Sequence, residues 1–303
     1  MPTKPHPKPK IKLHRRPTPP INERMKTLLS LGHGYCAQAL AQVLLPQGWR
    51  IIGTTRSPEK ARHLRAQGVE PLLWPGTALP LDQVTHLLTS ISPDAAGDPI
   101  LNVLGPQIAA TPLQWAGYLS TTGVYGDHCG GWVNEDSPLT PTTTRGQQRM
   151  LAEAQWQALG LPLHIFRLAG IYGPGRGPFA KVRDGTARRI LKPGQVFSRI
   201  HVADIAQTLA ASIARPNPGR VYNLCDDDPA PPEDVIAYAA KLLGLPIPLA
   251  ESWDEAEMTP MARSFYAENK RVKNNRIKSE LGIHLRFPDY RAGLQALLDQ
   301  SAE

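Results

Sequence analysis

The chain has 303 residues and a formal net charge of +8, which is enough length for one large α/β domain or for a domain with a smaller lobe. No apolar run reaches the roughly 18–20 residues that a membrane helix requires, and no secretory signal or membrane partner is expected. The three cysteines, Cys36, Cys129 and Cys225, have neither metal-binding nor CxxC spacing, so a reducing cytoplasm is the expected location.

Positive charge is concentrated in residues 1–24. This segment has seven basic residues and one acidic residue, a net charge of +6, so the other 279 residues carry only +2. It also contains seven prolines, which favour a disordered tail over a packed element. We interpret it as an extended start before the first strand, and the alternative is a basic arm that contacts acidic partners. Because the rest of the chain is nearly neutral, no nucleic-acid partner is predicted.

From residue 25 onward, short apolar strands alternate with amphipathic helices, which is typical of a doubly wound, mostly parallel α/β sheet. We therefore predict a Rossmann-type domain over residues 25–173 and a smaller substrate lobe over 174–303 that is interleaved with the last sheet elements. The predicted strands are 27–31, 49–54, 69–74, 86–90, 114–120 and 163–168. The predicted helices are 35–45, 58–67, 99–110, 144–159, 202–214, 231–243 and 288–300.

A dinucleotide-binding signal follows the first predicted strand. Residues 32–37, Gly-His-Gly-Tyr-Cys-Ala, match G-x-G-x-x-G/A at a strand-to-helix turn. Gly32 permits the tight turn, Gly34 lets a pyrophosphate approach the backbone, and Ala37 permits close packing of helix on strand. The helix N-terminus then offers free N–H groups to the phosphates. Gly32, Gly34, Tyr35 and Ala37 are therefore assigned to cofactor binding.

The end of the second strand indicates which dinucleotide binds. An NAD site needs a carboxylate here for the ribose 2′-hydroxyl, but residues 53–57, Gly-Thr-Thr-Arg-Ser, include none. Thr55, Arg56 and Ser57 suit a 2′-phosphate, so NADP is predicted over NAD. The alternative is an ordinary helix N-cap followed by a solvated Arg. Ser90, at the end of the fourth strand, is also predicted to bind the cofactor.

Four further segments follow in order along the chain: STTGVYGD at 120–127, RLAGIYGPG at 167–175, IHVADIA at 200–206 and VYNLCDD at 221–227. With the glycine loop, they resemble the extended or atypical short-chain dehydrogenase/reductase superfamily, of the NAD-dependent epimerase/dehydratase kind, over about residues 25–300. The resemblance implies a nicotinamide cofactor, a small-molecule substrate of unspecified identity and, as in many relatives, a homodimer.

The resemblance also indicates the reacting groups. Thr121 matches the Ser/Thr that bonds the substrate oxygen, whereas Arg145 and Arg149 occupy the Tyr and Lys positions of the usual Tyr-x-x-x-Lys motif, with Glu153 in its acidic position. An Arg cannot serve as the proton-transferring phenol, because its pKa is above about 12 and it has no acceptor lone pair. Arg149 could still hold ribose hydroxyls, so it is also predicted to bind the cofactor. For Arg145 two interpretations stay open: an oxyanion-, phosphate- or carboxylate-binding group, or a solvent-facing helix residue.

Other side chains are candidates for the missing proton transfer. Tyr125, Tyr172 and His128 have suitable groups, but packing or surface roles are expected for all three. His201 and Asp204 are expected to hold the lobe together. The histidines lack metal-ligand spacing, so no metal is predicted.

The predicted lobe is rich in basic residues, which indicates either an anionic substrate or a solvated basic face. Asp226–Asp228 are expected to form a simple turn before the next helix. Two functions stay open: an NADP-dependent redox enzyme acting on a small or sugar-like carbonyl or hydroxyl substrate, and a non-catalytic NADP-binding sensor or regulator. The seven basic residues of the predicted lobe mentioned above are Arg176, Lys181, Arg183, Arg188, Arg189, Lys192 and Arg199.

Overall fold

The computed structural model describes residues 25–300, so the predicted disordered tail lies outside the described residues. The strands are β1 (Thr27–Leu31), β2 (Arg50–Thr55), β3 (Glu70–Leu73), β4 (His86–Thr89), β5 (Trp115–Thr121), β6 (Trp132–Val133), β7 (Leu163–Leu168), β8 (Gly170–Tyr172), β9 (Arg189–Leu191), β10 (Arg199–His201), β11 (Val221–Leu224), β12 (Ala250–Ser252) and β13 (Arg271–Val272). The helices are α1 (Tyr35–Leu44), α2 (Pro58–Ala66), α3 (Leu101–Ala109), α4 (Thr144–Gln157), α5 (Phe179–Arg183), α6 (Val202–Ala214), α7 (Pro232–Leu242), α8 (Pro260–Phe265), α9 (Asn275–Leu281) and α10 (Tyr290–Gln300).

Seven strands form the central sheet in the order β11-β7-β5-β4-β1-β2-β3, and each neighbouring pair is parallel. The order reverses between β1 and β4, so the connections leave a crevice at the carboxyl ends of these two strands. This topology confirms the predicted doubly wound Rossmann-type sheet.

Helices cover both faces of the sheet, as the apolar sequence of β1 requires. Leu28 packs in one core cluster with Leu40 of α1, and its neighbour Leu29 packs in a second cluster with Trp156 of α4. Successive strand side chains point to opposite faces, so a strand covered on both sides is apolar throughout. All five residues of β1 are buried.

The later part of the chain returns to the central sheet through β11 and also forms a third core cluster. That cluster joins Tyr172, Phe179 and Val235 to Tyr290 and Leu294 of α10. Three two-stranded pairs, β8 with β10, β9 with β12 and β6 with β13, complete this region. Within residues 25–300, no helix combines the length and apolar character needed to cross a membrane.

The structure differs from the sequence predictions chiefly after residue 173. Helices α5, α8 and α9 were not predicted, because elements of five to seven residues show too little periodicity. The prediction for Asp226 as part of a simple turn was incomplete, since its side chain is almost fully buried, whereas Asp227 and Asp228 form ion pairs with Lys278 and Arg291.

Candidate functional site

A cavity of about 780 Å³ opens at the carboxyl ends of β1, β4, β5 and β7. The glycine loop lies at one end of its lining, and the ends of β4 and β5 with the first turns of α4 form another part. The later part of the chain contributes residues 196–199 and also Ser264, Phe265, Glu268, Lys270 and Val272. The cavity therefore lies at the crevice that the strand order predicts for a ligand.

The glycine loop leaves its backbone open toward this cavity. Gly32 has φ +70°, and a Cβ there would lie 2.7 Å from Ile91 Cγ1, so both conformation and space require glycine. Gly34 is the N-cap of α1 and has no side chain to cap the helix, while Ala37 is buried against the sheet. Gly32, Gly34 and Tyr35 line the cavity. This arrangement fits a dinucleotide whose pyrophosphate bonds free backbone N–H groups.

Neighbouring hydroxyls hold the glycine loop in place. The Gly32 N–H donates to Thr54 Oγ1 at 2.7 Å, and Ser90 Oγ donates to the Gly32 carbonyl. Ser90 also lines the cavity. The loop is thus fixed to the ends of β2 and β4 before any ligand binds.

The residues predicted to select NADP lie at the end of β2. Ser57 Oγ accepts from the Lys60 N–H at 3.2 Å and so caps α2, as expected from the sequence. Thr55 Oγ1 accepts from the Ser57 N–H. Arg56 is exposed, and its side chain has no hydrogen bond or ion pair to any residue in 25–300. Its guanidinium is therefore free for a 2′-phosphate, and that assignment stays a prediction.

Thr121 lies at the end of β5 and lines the cavity. Its Oγ1 accepts from the Gly123 N–H at 3.1 Å and so caps the 3₁₀ turn Thr122–Tyr125. A hydroxyl has one donor and two acceptor sites, and this contact uses only an acceptor site. The Thr121 hydrogen is thus free to bond a substrate oxygen in the cavity.

The two arginines of α4 differ in their contacts. Arg145 is exposed on the first turn, with its guanidinium carbon 4.6 Å from the centre of the Phe265 ring. Arg149 Nη1 donates to the Leu119 carbonyl at 2.9 Å and to the Tyr118 hydroxyl at 3.0 Å, so it holds the end of β5. Its Nε is buried without a hydrogen-bond partner. Both line the cavity, and a ribose contact from Arg149 stays a prediction.

A buried charged network lies beneath Thr121. Glu153 accepts from Ser120 Oγ and from Arg167 Nε and Nη2, the latter at 2.8 Å. Arg167 Nη1 donates to the Tyr125 hydroxyl, which donates to Asn223 Oδ1 at 2.7 Å. Burial raises the pKa of Tyr125 to about 12. Tyr125 therefore belongs to this network and does not face the cavity as a proton donor.

The other candidate proton donors also make scaffold contacts. Tyr172 lines the cavity, but its hydroxyl donates to the Asp289 carbonyl. His128 Nε2 lies 3.1 Å from the Tyr125 carbonyl. The expected packing roles of these residues agree with the geometry.

His201 and Asp204 hold the lobe together, as expected. His201 Nδ1 accepts from the Ala203 N–H and caps α6, and burial lowers its pKa to about 4, so the ring is neutral. Asp204 accepts from the backbone N–H groups of Arg286 and Phe287 at 2.7 and 3.1 Å.

The sequence did not indicate a charged pair in the cavity lining, Glu268 and Lys270. Lys270 Nζ donates to the Gly126 carbonyl and to Glu268 Oε2, each at 2.7 Å. Glu268 Oε1 accepts from Thr142 Oγ1 at 3.0 Å. Thr142 and Gly126 precede Glu268 and Lys270 by more than 120 residues, so no local spacing could indicate these contacts. The sequence shows only that Glu268 and Lys270 are charged.

Only two of the seven basic residues in the predicted lobe line the cavity, Arg176 and Arg199. Arg199 donates to the carbonyls of Phe197 and Ala230. Arg188 instead pairs with Glu251 outside the cavity. The seven basic residues therefore do not form one basic surface: two of them line the cavity, and Arg188 forms an ion pair elsewhere.

Comparisons with known proteins give three informative similarities. No protein-family model matches the chain. A conserved protein of unknown function from Silicibacter pomeroyi DSS is 64% identical, with a TM-score of 0.89 over 92% of this chain and all of that one. Protein YeeZ of Escherichia coli K12 is 27% identical over 88% of this chain and 97% of its own length. Human epimerase family protein SDR39U1, solved with NADPH, is 19% identical, with a TM-score of 0.69 over 91% of this chain and 99% of that one.

Proposed function

We propose that this chain is an NADP-dependent oxidoreductase of the short-chain dehydrogenase/reductase superfamily, of the NAD-dependent epimerase/dehydratase kind. Its substrate would be a small or sugar-like carbonyl or hydroxyl compound. The observation that carries the proposal is that the open glycine loop and the Thr121 hydroxyl line one cavity of about 780 Å³. This volume lies within the range of small-ligand sites.

The cofactor would be held by the glycine loop, the start of α1 and Arg56. Gly32, Gly34 and the start of α1 would bind the pyrophosphate through backbone N–H groups, and Arg56 would bind the 2′-phosphate. When bound, the nicotinamide supplies hydride exchange. NADPH in the SDR39U1 structure supports a nicotinamide dinucleotide as the ligand class.

The cavity also offers groups for an anionic substrate. Thr121 would donate to the reacting oxygen, and Arg145 would bind a carboxylate or phosphate elsewhere on the substrate. Arg145 has no hydrogen bond or ion pair within the described part of the chain; its contact is the Phe265 ring. An Arg with all its donors free suits bidentate binding of an oxyanion.

Proton transfer needs a group other than the absent Tyr, and we assign it to Lys270. The ammonium has three N–H donors, two of which go to Gly126 and Glu268. The third would donate to the substrate oxygen beside Thr121, and bulk water would then restore the proton to Nζ. Glu268, which accepts from Nζ, would hold the lysine in position.

The proposal is tested by NADPH oxidation, followed at 340 nm, against small aldehydes and ketones with and without a carboxylate or phosphate. Thr121→Val should lower kcat/KM by about tenfold or more and leave NADPH affinity unchanged. Thr144→Val, an exposed substitution on α4 outside the cavity lining, is the matched control. Bound NADPH without turnover of any substrate would contradict the enzyme proposal and favour a non-catalytic sensor.

A further inference from the structure

A tight turn after β8 positions Arg176 in the cavity lining. The Gly173 N–H donates to the Arg176 carbonyl at 2.8 Å, and the Arg176 N–H donates back to the Gly173 carbonyl at 2.9 Å. Pro174 and Gly175 are the central residues, and Gly175 has φ +68°. Proline followed by a glycine with positive φ fits a type II turn. The backbone of Arg176 is therefore held by two hydrogen bonds.

This turn packs directly against the first residue of α1. The Tyr35 hydroxyl donates to the Pro174 carbonyl at 2.9 Å. At Gly173, with φ +152°, a Cβ would lie 2.6 Å from Tyr35 Oη and 2.7 Å from Val202 Cγ1. Only glycine allows so close an approach, so the turn has a fixed position relative to the glycine loop.

The Arg176 side chain brings a free positive charge to the same place. Its guanidinium carbon lies 5.8 Å from the centre of the Tyr35 ring, and the residue lines the cavity with Gly32 and Gly34. Burial raises the pKa of Cys36, the second residue of α1, to about 11, and the nearby Arg176 charge opposes that rise.

The guanidinium of Arg176 has no competing partner. Within residues 25–300 it makes no hydrogen bond and no ion pair, whereas Arg188 of the same region pairs with Glu251, and Arg199 donates to two carbonyls. All five of its N–H donors are thus available. The Arg176 backbone is fixed, and its exposed guanidinium with unused donors lies near backbone N–H groups that also lack partners. An anion could contact both.

We propose that Arg176 binds the diphosphate of the dinucleotide together with the glycine loop. This inference rests on the proposed cofactor. A diphosphate carries two negative charges, whereas a helix N-terminus is equivalent to only about half a positive charge. The backbone N–H groups of the loop and α1 would bind some of the diphosphate oxygens, and the Arg176 guanidinium would bind others.

The test is calorimetric titration of the full chain with NADPH and with ADP-ribose, which has the diphosphate but neither the 2′-phosphate nor the nicotinamide. Arg176→Gln should weaken both ligands by about tenfold or more. Arg56→Gln should weaken NADPH and leave ADP-ribose unchanged. Arg183→Gln is the matched control, because Arg183 lies over Phe179 outside the cavity lining and should leave both affinities unchanged.

The outcomes separate this inference from the proposed function. If the unmodified chain binds NADPH, and Arg176→Gln binds NADPH and ADP-ribose as tightly as the unmodified chain does, the diphosphate contact is refuted. The cofactor proposal then stands. Loss of NADPH affinity alone would also refute it, since the contact would then lie outside the diphosphate. If the unmodified chain binds neither ligand, the proposed cofactor itself is wrong. The melting temperature of each ligand-free variant should equal that of the unmodified chain; a large drop with equal loss of both ligands would reassign Arg176 to the fold.

Discussion

Removing the charge of Glu153 should strongly destabilise the fold. Glu153 and Arg167 form a two-pronged ion pair whose side chains are only 3% and 5% exposed. Glu153→Gln keeps the size and a hydrogen-bonding oxygen for Ser120 but leaves the Arg167 charge buried and uncompensated. Breaking one partner of such a pair costs about 3–5 kcal/mol. The free energy of unfolding, measured by urea titration of the full chain, should fall by that amount.

The chain supplies a matched control on its surface. Arg50 bonds Glu70 through the same two atoms, Nε and Nη2, at 2.8 and 2.7 Å, but the Glu70 side chain is 54% exposed. Glu70→Gln therefore removes the same chemical contact with water available to replace it, and the cost should be below about 1 kcal/mol. Equal losses for the two variants would refute the argument that burial, and not pairing as such, sets the importance of the Glu153 network.

Two further predictions concern charge. Burial raises the pKa of Asp226 to about 8, so between about pH 4 and 8 the folded chain holds a proton that the unfolded chain has lost, and stability falls as pH rises. We therefore expect the free energy of unfolding of Asp226→Asn, measured by urea titration, to rise relative to that of the unmodified chain from pH 5 to pH 8. The difference should grow by on the order of 1 kcal/mol per pH unit. A difference that does not change with pH would contradict this prediction. Arg56→Ala should weaken NADPH far more than NADH in calorimetric titrations, and equal weakening would remove Arg56 from 2′-phosphate binding.

The nucleotide-binding half could be predicted from the sequence because its signals are local. Each strand is a short apolar run, and the bounds of β1 and β7 agree with the predictions residue for residue. The glycine fingerprint and the Ser57 N-cap also depend on neighbours within a few residues. Such signals are visible in a single chain because strand, turn and helix form from adjacent segments.

The part of the cavity lining that Glu268 and Lys270 form could not be predicted, because it arises only when distant segments meet. Glu268 and Lys270 reach the cavity through contacts with Thr142 and Gly126. Likewise, the sequence marked Arg176 only as one of seven basic residues. What distinguishes it is the turn that fixes it against Tyr35, and that contact spans 139 positions.

Calorimetric titration of the full chain with NADPH and then NADH tests most directly whether the glycine loop and Arg56 form a working NADP site. We expect NADPH to bind tightly and NADH at least about tenfold more weakly, because one charge-assisted contact to the 2′-phosphate is worth about 1.5–3 kcal/mol. Equal affinities would contradict the NADP assignment. No binding of either dinucleotide would contradict the proposed oxidoreductase.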